Sequence, residues 1–156
     1  MKKATALAVC LFLSAACGYA PVRSRPSHGL RVAAVKNQTA QAEVGGIFAA
    51  ELRGELAGRG RLEPDGSAAP ELSAELLSLI SIPTAAGTEG AAAFQLSATL
   101  RLGAGDYRDT VSGGETYLAG EDVLGTEANR RAALRRLART LAREAIERYD
   151  VNERLR

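Results

Sequence analysis

Apolar and polar positions divide the chain into a leader, a short irregular segment and a body of regular elements. Residues 4–13 form an apolar run behind Lys2 and Lys3. A helix of that length spans about 15 Å, half of the ~30 Å hydrocarbon core of a bilayer, which is too short for a membrane span. The run is therefore typical of a signal peptide. Residues 20–28 lack periodicity and contain two prolines, so we expect an extended tether there.

Alternation of apolar and polar side chains predicts four strands in the body of the chain. These strands are residues 30–35, 72–82, 94–102 and 107–116. In the second of them, one unbroken alternation puts Ile80 and Ile82 on the same face as Leu72. Pro83 is expected to end this strand, because proline lacks an N–H donor for the sheet. Residues 84–90 are then predicted to form a loop.

Glycines mark the expected turns in the second half of the chain. Gly103-Ala104-Gly105 separates two strand patterns and predicts a tight hairpin. In the returning strand Val111 is expected to face the core. Gly113-Gly114 is expected to lie at a bulge or at the strand end, because glycine weakens the interior of a strand.

Two stretches repeat apolar residues at helical spacing. The first covers residues 44–57. The second opens at Thr126, whose hydroxyl is predicted to cap the free N–H groups, and continues to about Tyr149. Ion pairs one turn apart are expected at Glu127–Arg131 and Glu144–Arg148.

The resulting order, β-α-β-β-β-α, predicts an α+β fold. We expect a two-layer sandwich in which two helices pack on one face of a mostly antiparallel sheet. The predicted segments are a signal peptide at 1–16, a lipidated N-terminus and tether at 17–29, the domain at 30–152 and a tail at 153–156.

Cys17 is the predicted point of attachment to a membrane. It follows Ala15-Ala16 directly after the apolar run, which is typical of a bacterial lipoprotein processing site. The site departs from the usual pattern, because Ser14 stands where leucine is common. The alternative is an ordinary cleaved leader with an incidental cysteine. Gly18 follows the cysteine in place of an aspartate retention signal, which favours the outer membrane.

The charge balance argues against nucleic acid as a partner. Removing the leader takes away Lys2 and Lys3, so the 18 acidic residues are matched by as many basic ones. Of the remaining basic residues only Lys36 is lysine, and the others are arginine. A chain with a net charge near zero has no overall positive electrostatic potential to attract a polyanion such as nucleic acid.

The residues of common catalytic sites are missing from the sequence. His28 is the only histidine and lies in the predicted tether. Neither a Ser-His-Asp catalytic triad nor a histidine metal site is therefore expected. The carboxylate pairs Asp106/Asp109 and Glu121/Asp122 adjoin turns and are interpreted as solvated. We therefore expect a binding or assembly protein, not an enzyme, with no cofactor beyond the lipid on Cys17.

Four stretches of the chain resemble the LPS-assembly lipoprotein family LptE. They are Cys17-Gly18-Tyr19, residues 32–39, residues 51–56 with 60–62, and residues 126–134. The last of these is the most specific. The middle of the chain is less similar, since its hairpin is short and the aromatic residues often found on the following strand are reduced to Tyr107 and Tyr117.

This resemblance implies an outer-membrane lipoprotein inside the lumen of an LptD-like β-barrel. The family member acts there as a plug, helps the barrel to assemble and binds lipopolysaccharide on its way to the outer leaflet. Arginine suits bidentate contact with lipid A phosphates.

Two arginine clusters are candidates for lipopolysaccharide contact. Arg101 and Arg108 flank the predicted hairpin. Arg135, Arg139 and Arg143 form a row at helical spacing. A solvated surface is the alternative for either cluster, and our hypothesis assigns the contact to the hairpin pair.

Two other functions fit parts of the sequence. The first is another small outer-membrane lipoprotein, serving as an accessory or activator of a periplasmic enzyme or a lipid transporter. The second is a periplasmic hydrolase, which the missing histidine and metal ligands disfavour. Recovery of a large β-barrel partner from solubilised membranes distinguishes the LptE-like function from both.

Overall fold

The computed structural model describes residues 28–87 and 90–155. Its elements are β1 (Arg31–Val32), β2 (Lys36–Asn37), α1 (Val44–Gly58), β3 (Glu71–Gly87), β4 (Gly90–Ala104), β5 (Tyr107–Leu118) and α2 (Val123–Leu155). Both helices pack on a mixed five-stranded sheet. The predicted α+β sandwich is therefore confirmed, with α1 and α2 ending within one residue and six residues of the expected positions, respectively.

The sheet combines a parallel edge with an antiparallel body. The two short strands β1 and β2 both pair in parallel with β3, whereas β3, β4 and β5 are antiparallel neighbours. The predicted first strand, residues 30–35, is thus replaced by two shorter pieces. After β2, Asn37 accepts hydrogen bonds from the backbone N–H and the hydroxyl of Thr39 (2.9 and 2.8 Å), which closes the expected turn.

Pro83 lies inside β3 and does not end it, so the expected loop at 84–90 is wrong. The strand continues to Gly87, and Pro83 pairs with Phe94 of β4. Within the described residues β3 pairs on its other side only up to Leu76. Proline is tolerated on such a free edge, because one side of the strand needs no N–H donor.

The unbroken alternation predicted for β3 is also wrong. The pairing with β4 shifts between Leu76 and Ser78, and one extra residue moves every following side chain to the opposite face. Leu79 consequently packs against the core, while Ile80 and Ile82 are 57% and 52% exposed.

Helix α2 is longer than predicted at both ends. It begins at Val123, and Asp122 Oδ1 accepts a hydrogen bond from the N–H of Gly125 (2.6 Å), as an N-cap residue does. Thr126, the expected cap, lies within the helix and accepts a hydrogen bond from the N–H of Gly120 (2.9 Å). At the other end the helix continues past Tyr149 to Leu155.

Gly113 lies in the interior of β5, where a bulge or strand end was expected. The pairing of β5 with β4 is unbroken there. A Cβ atom at Gly113 would come within 3.2 Å of Leu141 Cδ2 on α2. The missing side chain therefore allows α2 to pack closely on the sheet.

The hydrophobic core lies between the helices and one face of the sheet. Its largest fully buried members are Phe48 and eleven leucines: Leu30, Leu52, Leu56, Leu72, Leu76, Leu96, Leu100, Leu102, Leu134, Leu137 and Leu141. Val111 is 1% exposed, as expected. Among the described residues, the buried core cluster extends from Leu30 to Ile146.

A buried ionic network joins the start of the domain to the end of α2. Arg61 is 4% exposed and pairs with Asp150 and with Glu153 (2.9 Å). Its guanidinium also donates two hydrogen bonds to the carbonyl of His28 (2.9 and 3.2 Å). Arg59 adds a second contact to Asp150 (2.8 Å). These bonds explain why α2 continues beyond the apolar stripe.

We expect Asp150→Asn to lower the free energy of unfolding by about 3 kcal/mol, because it leaves the buried Arg61 incompletely paired. Urea unfolding of the chain starting at Gly18 measures the change. Glu144→Gln is the matched control on the same helix, since Glu144 pairs with Arg148 at the surface (2.7 Å) and should cost less than about 1 kcal/mol. Equal losses in the two variants would contradict this account of the network.

Candidate functional site

The predicted hairpin is present, but its turn is Gly105-Asp106, because Gly103 and Ala104 still pair within β4. The hairpin places Arg101 and Arg108 on neighbouring strands. Ala104 pairs with Tyr107 across a two-residue turn, in which Gly105 has a positive φ of 55°. Glycine adopts this backbone conformation without strain. The turn brings β5 back beside β4, so that Arg101 and Arg108 lie on the sheet face opposite the helices.

A surface cavity of about 350 Å³ opens at this corner of the sheet. Both Arg101 and Arg108 line it, together with Lys36, Ser73 and Glu75. The structure therefore brings the two predicted arginines to one site and adds a third cation. With three cations and one carboxylate, the cavity lining has a positive balance.

A row of alternating charges crosses three strands at the cavity. Lys36 of β2 is paired with Glu75 of β3, which is paired with Arg101 of β4. Lys36 Nζ and Arg101 Nη1 each lie 3.0 Å from a carboxylate oxygen of Glu75. The hydrogen bond from Lys36, aided by the charge of Arg101, lowers the pKa of Glu75. Glu75 therefore stays ionised at neutral pH and competes with any bound anion for both cations.

Arg108 folds back over the hairpin. It donates hydrogen bonds to the carbonyls of Gly105 (2.5 Å) and Tyr107 (2.6 Å). A Cβ atom at Gly103 would lie 3.0 Å from Arg108 Nη1 and 2.9 Å from Ser73 Oγ. The missing side chain at Gly103 thus makes room for the guanidinium beside the cavity.

The second predicted cluster lies on α2. Arg135, Arg139 and Arg143 are all exposed on the outer side of this helix. Arg139 pairs with Glu51 of α1 (3.2 Å). In the part of the chain that the structure describes, Arg135 and Arg143 have no carboxylate partner. The row is separated from the cavity by the helix and the sheet, so the two clusters form distinct surfaces.

The two predicted ion pairs on α2 have different outcomes. Glu144 and Arg148 are joined at 2.7 Å, as expected. Glu127 instead pairs with Arg130 at 2.7 Å, one residue before the predicted partner Arg131. Spacings of three and four residues both bring side chains together on a helix. The sequence alone therefore did not decide whether Arg130 or Arg131 pairs with Glu127.

Two of the turn carboxylates have structural roles. Asp122 caps α2, and Asp109 accepts hydrogen bonds from Tyr107 (3.1 Å) and Arg148 (3.4 Å). Within residues 28–87 and 90–155, no group of three or more histidine, cysteine or acidic residues could hold a metal ion. No helix in these ranges has the length and apolarity of a membrane span. Cys17, the predicted lipidation site, lies outside the described residues.

Comparison with protein families identifies the chain. The model of LptE, described as lipopolysaccharide-assembly, matches residues 28–148. The chain belongs to the LptE family. The match covers both helices nearly completely and all five strands of this LptE-family domain, including both arginine clusters. A comparison with curated proteins finds no significant match.

Three solved structures share the fold of this LptE-family chain. Rare lipoprotein B from Shewanella oneidensis is 12% identical, with a TM-score of 0.55, and the alignment covers 79% of this chain and 96% of that one. A lipoprotein from Caulobacter crescentus is 17% identical, with a TM-score of 0.51 and coverages of 76% and 88%. Protein XCC0632 from Xanthomonas campestris is 10% identical, with a TM-score of 0.58 and coverages of 87% and 91%. At these identities the likeness concerns the fold.

Lys36 and Glu75 were missed as site residues by sequence reasoning. They are distant from the hairpin along the chain and join it only through the pairing of β2, β3 and β4. The available signal was opposite charges in two predicted strands, at Glu75 and Arg101, with Lys36 directly after a third. These charges become a site only when the register is known.

We expect Glu75→Gln to strengthen the binding of inorganic phosphate in the cavity by up to about fivefold, since exposed ion pairs contribute only modestly. The substitution removes the carboxylate that occupies Lys36 and Arg101. Titration with phosphate, followed by NMR of the arginine side chains, measures the affinity.

Glu71→Gln is the control for this experiment. Glu71 lies on the same strand and pairs with Arg31 (3.2 Å), outside the cavity. The two variants lose the same charge, so an equal gain in both would mean that the cavity is not the phosphate site.

Proposed function

We propose that this LptE-family protein is an outer-membrane lipoprotein that plugs an LptD-like β-barrel, helps the barrel to assemble and binds lipopolysaccharide during transport to the outer leaflet. The observation that carries the proposal is the LptE family match over residues 28–148. The matched region coincides with the compact domain, whose core closes between Leu30 and Ile146.

The proposed membrane anchor is lipid on Cys17. The order of charged tip, apolar run, Ala15-Ala16 and cysteine supports it. A single acyl chain gives only marginal attachment, whereas a bacterial lipoprotein cysteine receives several chains. The lipid delivers the domain to the membrane, and no further cofactor is needed for the proposed function.

The open face of the sheet suits a water-filled lumen. Five side chains on this face of β4 and β5 are short and hydroxylated: Ser97, Thr99, Thr110, Ser112 and Thr116. Ile80 and Ile82 of β3 and Leu118 of β5 are also exposed on this face, at the end away from the cavity. Thr99 and Ser112 are joined by a hydrogen bond across the strands (3.0 Å). The hydroxylated part of this surface remains hydrated without a covering layer, as a plug within an aqueous channel requires.

Lipopolysaccharide contact is assigned to the cavity beside the hairpin. Arg101 and Arg108 line it with Lys36, and lipid A carries phosphate groups that guanidinium binds in bidentate fashion. A phosphate would compete with Glu75 for Lys36 and Arg101. The cavity thus provides paired cations that are already gathered by the fold and need no rearrangement of the backbone.

The proposed role is non-catalytic. Its chemistry consists of ion pairing, hydrogen bonding and shape, and no bond in lipopolysaccharide is formed or broken. Another small outer-membrane lipoprotein, acting as an accessory to a periplasmic enzyme or lipid transporter, is the competing function.

We expect a large β-barrel protein to co-purify with the wild-type chain from detergent-solubilised outer membranes. Cys17→Ala should lower the amount of the chain in the membrane fraction. If the complex still forms when the variant is supplied as purified protein, the lipid is needed to bring the chain to the membrane and not to bind the barrel. Recovery of a periplasmic enzyme or a transporter, without a barrel, would favour the competing function.

Replacing both hairpin arginines, in Arg101→Gln/Arg108→Gln, should weaken binding of detergent-dispersed lipopolysaccharide by about tenfold or more, since charge-assisted hydrogen bonds contribute about 1.5–3 kcal/mol. Fluorescence titration with labelled lipopolysaccharide measures the affinity. Arg135→Gln/Arg143→Gln removes the same charge from the helix and serves for comparison. A larger loss in the helix variant would move the site to α2.

A further inference from the structure

The outer side of α2 is uniformly basic over four turns. Nine positions are exposed between residues 128 and 143: Ala128, Asn129, Arg131, Ala132, Arg135, Arg136, Arg139, Thr140 and Arg143. Five of the nine are arginine and none is acidic. We call this surface the basic face. From Arg131 to Arg143 it extends for about 18 Å along the helix.

The positive charge of the basic face is only partly neutralised. Arg136 and Arg139 pair with Glu115 of β5 (3.3 Å) and Glu51 of α1 (3.2 Å), which lie on either flank of α2. Within the described residues, the other three arginines of the basic face have no carboxylate within 4 Å. Neighbours one turn apart in this row repel each other, and an external anion relieves the repulsion.

This excess is local and does not reflect the charge of the whole chain. Without the leader the chain has as many acidic as basic residues. Most other described cations are engaged nearby, as in the networks of Arg61 with Asp150 and of Arg101 with Glu75. The sequence thus concentrates unpaired positive charge on one helix face.

The shape of the basic face favours an extended anionic surface. The positions between the arginines hold small residues, Ala128, Ala132 and Thr140, so the face has no large apolar side chain. Protein interfaces are centred on aromatic or other bulky anchors, which this face lacks. Guanidinium groups bind phosphate through paired N–H donors, and an array of them matches a layer of phosphate headgroups.

The predicted tether joins the domain at His28, close to the end of α2, and this position brings the helix near the membrane. Arg61 holds the carbonyl of His28 (2.9 Å) and also binds Asp150 of α2. Asp150 lies about 10 Å along the helix from Arg143. The ten residues 18–27 between Cys17 and His28 reach at most about 35 Å. An anchor on Cys17 can therefore bring the basic face into contact with the surrounding lipid.

We propose that the basic face docks on the anionic phospholipid headgroups of the membrane that carries the protein. A basic patch adds electrostatic attraction to anionic lipids to the attachment through lipid on Cys17. Each arginine near an anionic bilayer contributes about 1 kcal/mol. The docked helix turns the open face of the sheet, with the cavity of Lys36, Arg101 and Arg108, away from the lipid. Docking concerns the anchored protein before it enters a barrel, so it goes beyond the proposed function and does not depend on it.

Vesicle binding tests the docking without the lipid anchor. The chain starting at Gly18, which retains every described core residue, is mixed with vesicles of phosphatidylglycerol or of phosphatidylcholine and sedimented. We expect binding to phosphatidylglycerol that falls as salt rises, since screening weakens exposed charges. Arg135→Gln/Arg143→Gln should reduce partitioning about 30-fold, or about fivefold for each arginine. Circular dichroism checks that the helix content is unchanged.

Two further variants separate charge from other effects. Arg135→Lys/Arg143→Lys keeps the charge and should bind vesicles nearly as well as wild type. Arg101→Gln/Arg108→Gln removes the same charge from the opposite side and should bind phosphatidylglycerol normally even where its lipopolysaccharide binding is lost.

Three results would overturn the proposal. The first is that wild-type protein does not bind phosphatidylglycerol vesicles. The second is an equal loss of vesicle binding in the helix and hairpin variants. The third is a helix variant that binds vesicles normally but no longer co-purifies with the barrel, which would make an acidic protein surface the occupant.

Discussion

Burial of the apolar stripe of α2 against β4 and β5 is the constraint on which the remaining features depend. Leu134, Leu137 and Leu141 are at most 2% exposed, and the last packs over the bare backbone of Gly113. Because a helix has two sides, burying this stripe forces the arginine row outward. Because a strand alternates, burying Leu100 and Leu102 puts Arg101 on the opposite face of the sheet. The packing of α2 on the sheet thus places the cavity and the basic face of α2 on opposite sides of the domain.

The two surfaces differ in the way their charge is balanced. Around the cavity, Glu75 joins Lys36 and Arg101 into a paired row, so a ligand must displace an internal partner. On the basic face of α2 the carboxylates lie only at the flanks. A discrete site with a competing carboxylate is suited to selective binding of one phosphorylated ligand, whereas an open row is suited to a surface with many phosphates.

The buried network of Arg61 connects these surfaces to the start of the domain. It joins the carbonyl of His28 to Asp150 and Glu153 near the end of α2. A buried arginine with one partner removed is costly, so the point where the chain enters the domain is fixed relative to the helix.

The sequence by itself determined the composition of the two layers, the hairpin and the inward stripe of each helix, because period 2 and period 3.6 are local properties of the chain. It also placed Arg101 and Arg108 together, since a short turn leaves their strands no other arrangement. Tertiary structure decided the rest. The shift after Leu76 exposed Ile80 and Ile82, and a free edge allowed Pro83 inside β3. Strand register added Lys36 and Glu75 to the cavity, and Asp150 extended α2. Each of these depends on contacts between residues far apart in the chain, which no local pattern encodes.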